Sequence, residues 1–194
     1  QGMMSRLFGS KPGHNALVEI NNFLAESTAA TELTEEIVSN FIKNWGAKFD
    51  SSNIEYRSSM YRKVADHVYI SAVSKDDPVF EETKHLAQVL ELPEKLQRLA
   101  DNGAKKVAYF SRCRKIISGE EPLTISEINN VFGYDYEDGY DIRVQVFHDY
   151  LNKKFDEIAE QQRFSPDEET ALREICTKLD IPYEFLSLIH ISEP

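Results

Sequence analysis

The sequence predicts an all-α protein, a compact bundle of about seven to nine helices built from paired hairpins. Three observations carry that expectation. Apolar residues recur at helical spacing along most of the chain, and no period-2 run is long enough for a useful strand. Cap and stop signals separate the apolar stripes. Gly and Pro number only 8 and 7 in 194 residues, too few for a turn-rich all-β fold or a disordered chain.

The elements follow in order. Residues 3–13 are short, basic and contain Gly and Pro, the pattern of a flexible arm. From Asn15, Leu17, Ile20 and Leu24 mark a first helix. Thr34 can cap a second, with Glu35 and Glu36 favourable in its first turn. Ile37, Phe41 and Trp45 step by four along it, and Gly46 can end it. Residues 50–53 read as a loop. Tyr61, Val64, Val68 and Ala72 make a third stripe. Asp76-Asp77-Pro78 breaks it and starts a fourth helix, with Phe80, Leu86, Val89 and Leu90 inward. Pro93 opens a short helix bearing Leu96 and Leu99, which Asn102-Gly103 stops; Val107, Phe110 and Ile117 mark the next. Thr124 and Glu127 form a capping box ahead of Ile128, Val131 and Phe132. After a polar loop, Val144, Phe147, Leu151, Phe155 and Ile158 make the strongest stripe of all. Ser165-Pro166-Asp167-Glu168 is a second capping box, followed by Leu172, Ile175, Cys176 and Leu179 on one face.

At this length one core can bury most of the chain, so a single domain over residues 14–185 is the default. Gln1-Gly2 reads as a tag remnant, and residues 186–194 (LSLIHISEP) as the translation of a sequencing adapter; neither enters the functional argument. Lys plus Arg number 22 against 33 Asp plus Glu, a net charge of −11 that disfavours polyanionic partners. No run approaches the about 18–20 apolar residues of a membrane span, and no secretory signal opens the chain, so a cytoplasmic protein is expected. Two cysteines exclude a disulfide scaffold.

Residues 77–93 align with 166–182 at an offset of 89: Leu86 matches Ile175, Leu90 matches Leu179, and Leu-Glu-Leu-Pro matches Leu-Asp-Ile-Pro. Each follows an amphipathic helix, so 57–99 and 144–185 form a candidate pseudo-repeat. The second unit resembles the TerB-like (tellurite-resistance protein) family. The resemblance rests on an amphipathic helix, then Ser165-Pro166 with Glu168-Glu169, then a helix closing in Leu179-Asp180-Ile181 where the family has Leu-Gly-Ile or similar. It is best over 144–185 and looser over 57–99. Where the family carries an Ala-Asp-Gly turn, this chain has Gln161-Gln162-Arg163 and Ser74-Lys75-Asp76-Asp77. The resemblance implies paired helical hairpins and a tellurite-resistance type of role in which a divalent cation is bound.

Four carboxylates and three tyrosines crowd residues 134–141. Asp135, Glu137, Asp138 and Asp141 offer oxygen ligands to a hard cation, although the spacing is not that of an EF-hand. Asp141 can equally cap the next helix. Tyr134, Tyr136 and Tyr140 suit a protein-binding surface. An acidic loop with no ligand fits the same residues. Asp76 and Asp77 offer a second carboxylate pair, or simple N-terminal capping. Lys105, Lys106, Arg112, Arg114 and Lys115 form a basic stretch able to contact phosphates, with Tyr109 available to stack. The alternative there is a solvated helix face. Those cations are also expected to lower the pKa of Cys113, whereas Cys176 reads as packing.

No His-Glu-x-x-His, phosphate loop or nucleophile elbow is present, and no catalytic set is recognisable. The expected function is a non-catalytic helical module that docks a protein partner, with no cofactor. The alternatives are a divalent-cation-binding stress protein and a nucleic-acid binder through 104–115.

Overall fold

The computed structural model describes residues 14–46, 48–158 and 164–182. The arm, the tag-like start, the adapter-like tail and the turn at 161–163 lie outside the described residues. Among the described residues there are eight α-helices, one 3₁₀ turn and no strand, so the fold is all-α. The helices are α1 (His14–Glu26), α2 (Glu35–Trp45), α3 (Ile54–Ser71), α4 (Phe80–Val89), α5 (Glu94–Ser118), α6 (Ile125–Phe132), α7 (Tyr140–Glu157) and α8 (Pro166–Lys178); the 3₁₀ turn is Ala30–Glu32. None is long and apolar enough to cross a membrane.

The chain groups into two compact units. One holds the residues through Ala72 with Asp76–Lys105; the other holds Val73–Lys75 and Lys106 onward. Helix α5 gives its first half to the first unit and its second half to the other.

In the first unit α1 packs on α2, α3 on α4, and α4 on the 3₁₀ turn. Leu17, Ile20, Leu33, Met60, Val68, Leu86 and Leu90 fill its core. Burying these side chains contributes about 1.5–3 kcal/mol for each large one. Thr34 caps α2 by accepting the Ile37 N–H at 3.2 Å. The His85 Nε2–H donates to the Leu33 carbonyl at 2.6 Å, which ties the turn to α4. Helix α4 starts at Phe80 rather than Pro78, because the Asp77 carboxylate first accepts the Val79 N–H at 2.9 Å in a tight turn.

The stripes on two helices differ from expectation. On α2 the buried residue is Val38, while Trp45 is 52% exposed. Steps of four advance about 40° each around a 3.6-residue helix, so Trp45 has rotated away from the face that Ile37 begins. On α5 the buried positions are Ala104, Ala108, Tyr109, Arg112, Cys113 and Ile116, while Leu99 and Val107 are 59% and 54% exposed. The true stripe is made of small and polar residues that an apolar pattern passes over. Helix α5 also runs straight through Asn102-Gly103. A glycine weakens a helix interior by only about 1 kcal/mol, and the buried Ala104 and Ala108 beside it outweigh that. The Arg62 guanidinium lies against Gly103 where a Cβ would stand.

In the second unit Thr124 and Ser165 both form complete capping boxes. Phe132, Phe147, Ile128, Leu172, Cys176 and Leu179 are buried.

The two hairpins share local geometry. Helices α3 and α7 each have 18 residues with a buried arginine at the fourth, Arg57 and Arg143. Met60 and Tyr61 are buried in one, and Val146 and Phe147 in the other. Helices α4 and α8 end identically. The Leu92 N–H donates to the Ala87 carbonyl and the Ile181 N–H to Cys176, both at 3.0 Å. Glu91 and Asp180 sit in the left-handed region, at φ 51° and 53°. This is the Schellman closure, with an acid where glycine is usual.

Candidate functional site

The buried arginines reveal the site, because the two hairpins use them differently. In the first, Arg57 is fully engaged. Its Nε donates to Asn53 Oδ1 at 2.8 Å, Nη1 to the carbonyls of Leu90 (2.8 Å) and Glu91 (3.2 Å), and Nη2 to the Asp50 carbonyl at 2.8 Å. The guanidinium also stacks over Phe49 at 5.0 Å. A cation against the last carbonyls of α4 is favoured by the helix dipole. This arginine is structural.

In the second, Arg143 turns toward tyrosines. Its Nη1 donates to the Tyr109 hydroxyl at 3.0 Å and Nη2 to the Tyr136 carbonyl at 3.1 Å. The guanidinium lies 4.8 Å from the Tyr136 ring centre and 5.8 Å from that of Tyr140. Such stacking is worth about 2 kcal/mol or more when desolvated, as here. Arg143 Nε is buried and has no hydrogen-bond partner among the described residues. The reason is local. The residue four before Arg57 is Asn53, which accepts its Nε; the residue four before Arg143 is Gly139. A side chain there would overlap the Tyr109 ring and hydroxyl.

Tyr109 is the hub. Its hydroxyl donates to Asn129 Oδ1 at 2.7 Å while accepting from Arg143. Its ring lies 5.8 Å from Phe132 and 5.2 Å from Tyr134. Burial pushes the phenol up to about 12, against the opposing pull of Arg143, so it stays neutral. Beside it, Arg112 meets Glu121 through two contacts, Nη2–Oε1 at 2.9 Å and Nε–Oε2 at 3.1 Å. Burial also pushes the Cys113 thiol up to about 12; desolvation outweighs Arg143 and Arg112 together. The expectation of an acidified thiol is therefore overturned.

The loop itself is locked. Asp135 Oδ1 accepts the N–H groups of Glu137 and Asp138, both at 3.0 Å, and Asp138 Oδ2 accepts the Asp135 N–H at 2.8 Å. Tyr134 is half-buried, and burial raises its phenol with Asp138 adding to the shift. Tyr140 is half-buried 5.7 Å from Tyr136, and Tyr136 is 43% exposed. Glu137, Asp138 and Asp141 are exposed. Asp141 is the second residue of α7 and not its cap, which is Gly139.

The expected cation sites do not assemble. Among the described residues no three acids, histidines or cysteines are grouped so as to hold a metal ion. Asp135 and Asp138 each commit one oxygen to the turn, and the Asp77 carboxylate accepts the Val79 N–H. Asp76 is exposed and Asp77 half-buried. The basic stretch does not present one face either. Tyr109 and Arg112 are core residues, closed to a base or a phosphate. The Lys105 amine sits over the Tyr69 ring at 5.6 Å, and Lys106 is exposed.

Sequence reasoning missed Arg143, Asn129 and Glu121. One signal was available: Arg57 and Arg143 occupy matching positions ahead of matching stripes. No family model, curated protein or solved structure matches the chain.

Proposed function

We propose that the chain is a non-catalytic helical interaction module, similar in fold to TerB-like domains, that docks a basic protein partner on the 134–141 loop. The observation that carries this is the anchoring of the loop from within. Arg143 holds the Tyr136 carbonyl and stacks on two tyrosines, while the reciprocal Asp135–Asp138 bonds close the turn. A loop already ordered loses little entropy on binding. It offers one exposed aromatic ring among four exposed carboxylates, Asp135, Glu137, Asp138 and Asp141, and tyrosine is favoured at interfaces. The acidic rim and the net charge of −11 select basic partners and speed their approach. The family likeness is supported by the helix ends. Glu91 and Asp180 adopt the left-handed conformation at the position where the TerB-like pattern carries glycine.

The test is selection of a displayed random-peptide library on immobilised protein. Basic peptides that bind the wild type and not Tyr136→Ala are expected. Failure to enrich any peptide, or enrichment that ignores Tyr136, contradicts the reading.

A further inference from the structure

The first unit contains a cleft of about 350 Å³ that the docking loop does not involve. That volume lies at the lower end of the range for small-molecule sites, about 300–1,000 Å³. Leu24 and Ala25 at the end of α1 form one wall. Met60, Lys63, Val64 and His67 form another, spaced so that all four share one face of α3. Glu82 of α4 closes the third side. Its Oε1 accepts the Ala30 N–H at 3.0 Å and so fixes the segment that leads into the 3₁₀ turn.

The chemistry of this lining is amphipathic. Leu24, Met60 and Val64 are apolar. Lys63 and His67 are exposed at the rim, one helical turn apart, and neither side chain has a hydrogen-bond or ion-pair partner among the described residues. The carboxylate of Glu82 on the opposite wall limits how much negative charge the cleft accepts. A monoanion suits it better than a phosphate dianion.

We propose that this cleft binds a small amphipathic carboxylate, with its apolar chain against Leu24, Met60 and Val64 and its carboxylate on Lys63 and His67. The class is that of short fatty acids and aryl-alkanoic acids. Binding here is independent of the tyrosine loop.

The test uses octanoate as probe and 1-octanol as its neutral counterpart, titrated calorimetrically into the full chain. Octanoate is expected to bind one-to-one and about tenfold more tightly than 1-octanol, the worth of one charge-assisted hydrogen bond. The double variant Lys63→Gln/His67→Gln should lose that advantage and bind both equally. Ala25→Trp, which fills the mouth from an exposed position, should abolish both. Thermal melting confirms that each variant is folded. Four results would overturn the proposal: no octanoate binding, equal affinity for octanoate and 1-octanol, an unchanged octanoate affinity in the double variant, or an unchanged affinity in Ala25→Trp.

Discussion

Gly139→Ala and Gly103→Ala are the same chemical change with opposite expected signs. At Gly139 the backbone is ordinary, with φ −105° and ψ −1°, so alanine is conformationally allowed. By chain entropy alone the substitution would stabilise by about 0.4–1 kcal/mol. The new methyl group, however, would overlap the Tyr109 ring and hydroxyl. Tyr109 cannot give way. It is fully buried, flanked by Phe132 and Tyr134, and tethered at its hydroxyl by Asn129 and Arg143. Overpacking of this kind costs about 1–3 kcal/mol. Each hydroxyl bond that the shift breaks adds about 1 kcal/mol or more. A net loss of about 1–3 kcal/mol is expected. At Gly103 the obstacle is the end of the Arg62 side chain, which is part-exposed and flexible. Moving it sacrifices the Arg62–Asp66 pair, an exposed i,i+4 contact of 2.8 Å worth about 0.3–0.5 kcal/mol. Replacing a mid-helix glycine returns about 1 kcal/mol. Gly103→Ala should therefore be neutral or stabilising. Equilibrium urea unfolding followed by circular dichroism measures both. The Gly139→Ala midpoint should fall by about 0.5–1.5 M at a typical urea slope. A Gly139→Ala midpoint at or above the wild type, or a Gly103→Ala loss as large as that of Gly139→Ala, refutes the packing argument.

Other outcomes follow from the same interior. Glu121→Gln leaves the Arg112 guanidinium buried without its carboxylate and should cost about 3–5 kcal/mol, whereas Arg112→Met/Glu121→Leu should be close to neutral or stabilising, both read from urea midpoints. Asp101, which accepts the Tyr61 hydroxyl at 2.8 Å, has its carboxyl raised chiefly by burial, with Tyr61 and Lys105 opposing. A raised carboxyl contributes stability at low pH that is lost as pH rises through its folded value. Asp101→Asn should thus gain most relative to wild type at pH 7, and the gain should shrink toward pH 4 in melting curves. Burial pushes the thiols of Cys113 and Cys176 up to about 12 and about 11, so a maleimide should label neither in the folded protein and both in urea.

Much of the fold is legible in the sequence because it depends on local signals. Thr34, Thr124 and Ser165 announce helix starts by their side-chain chemistry, and all three act as caps. The matching Leu-Glu-Leu-Pro and Leu-Asp-Ile-Pro segments announce matching ends. What the apolar pattern hides is tertiary. Arg112, Arg143 and Tyr109 read as surface residues by type, yet they form the interior of the second unit. The burial of Tyr109 and Arg143 depends on partners distant in sequence, Asn129 for Tyr109 and the Tyr109 hydroxyl for Arg143. Likewise Gly103 reads as a helix stop, and only the buried alanines that follow it show why the helix continues. The acidic loop is legible as a distinctive segment. Asp135 and Asp138 each turn one oxygen to backbone N–H groups of the loop, a use that composition alone does not distinguish from metal ligation.

The role proposed for the loop is to dock a basic partner through Tyr136 and its surrounding carboxylates. The most direct measurement is the dissociation constant of an enriched basic peptide, taken at two salt concentrations for wild type, Tyr136→Ala and Glu137→Gln. Salt and Glu137→Gln are each expected to weaken binding, and Tyr136→Ala to weaken it about tenfold or more, as for an interface anchor. An affinity that is indifferent to Tyr136 and to salt would contradict it.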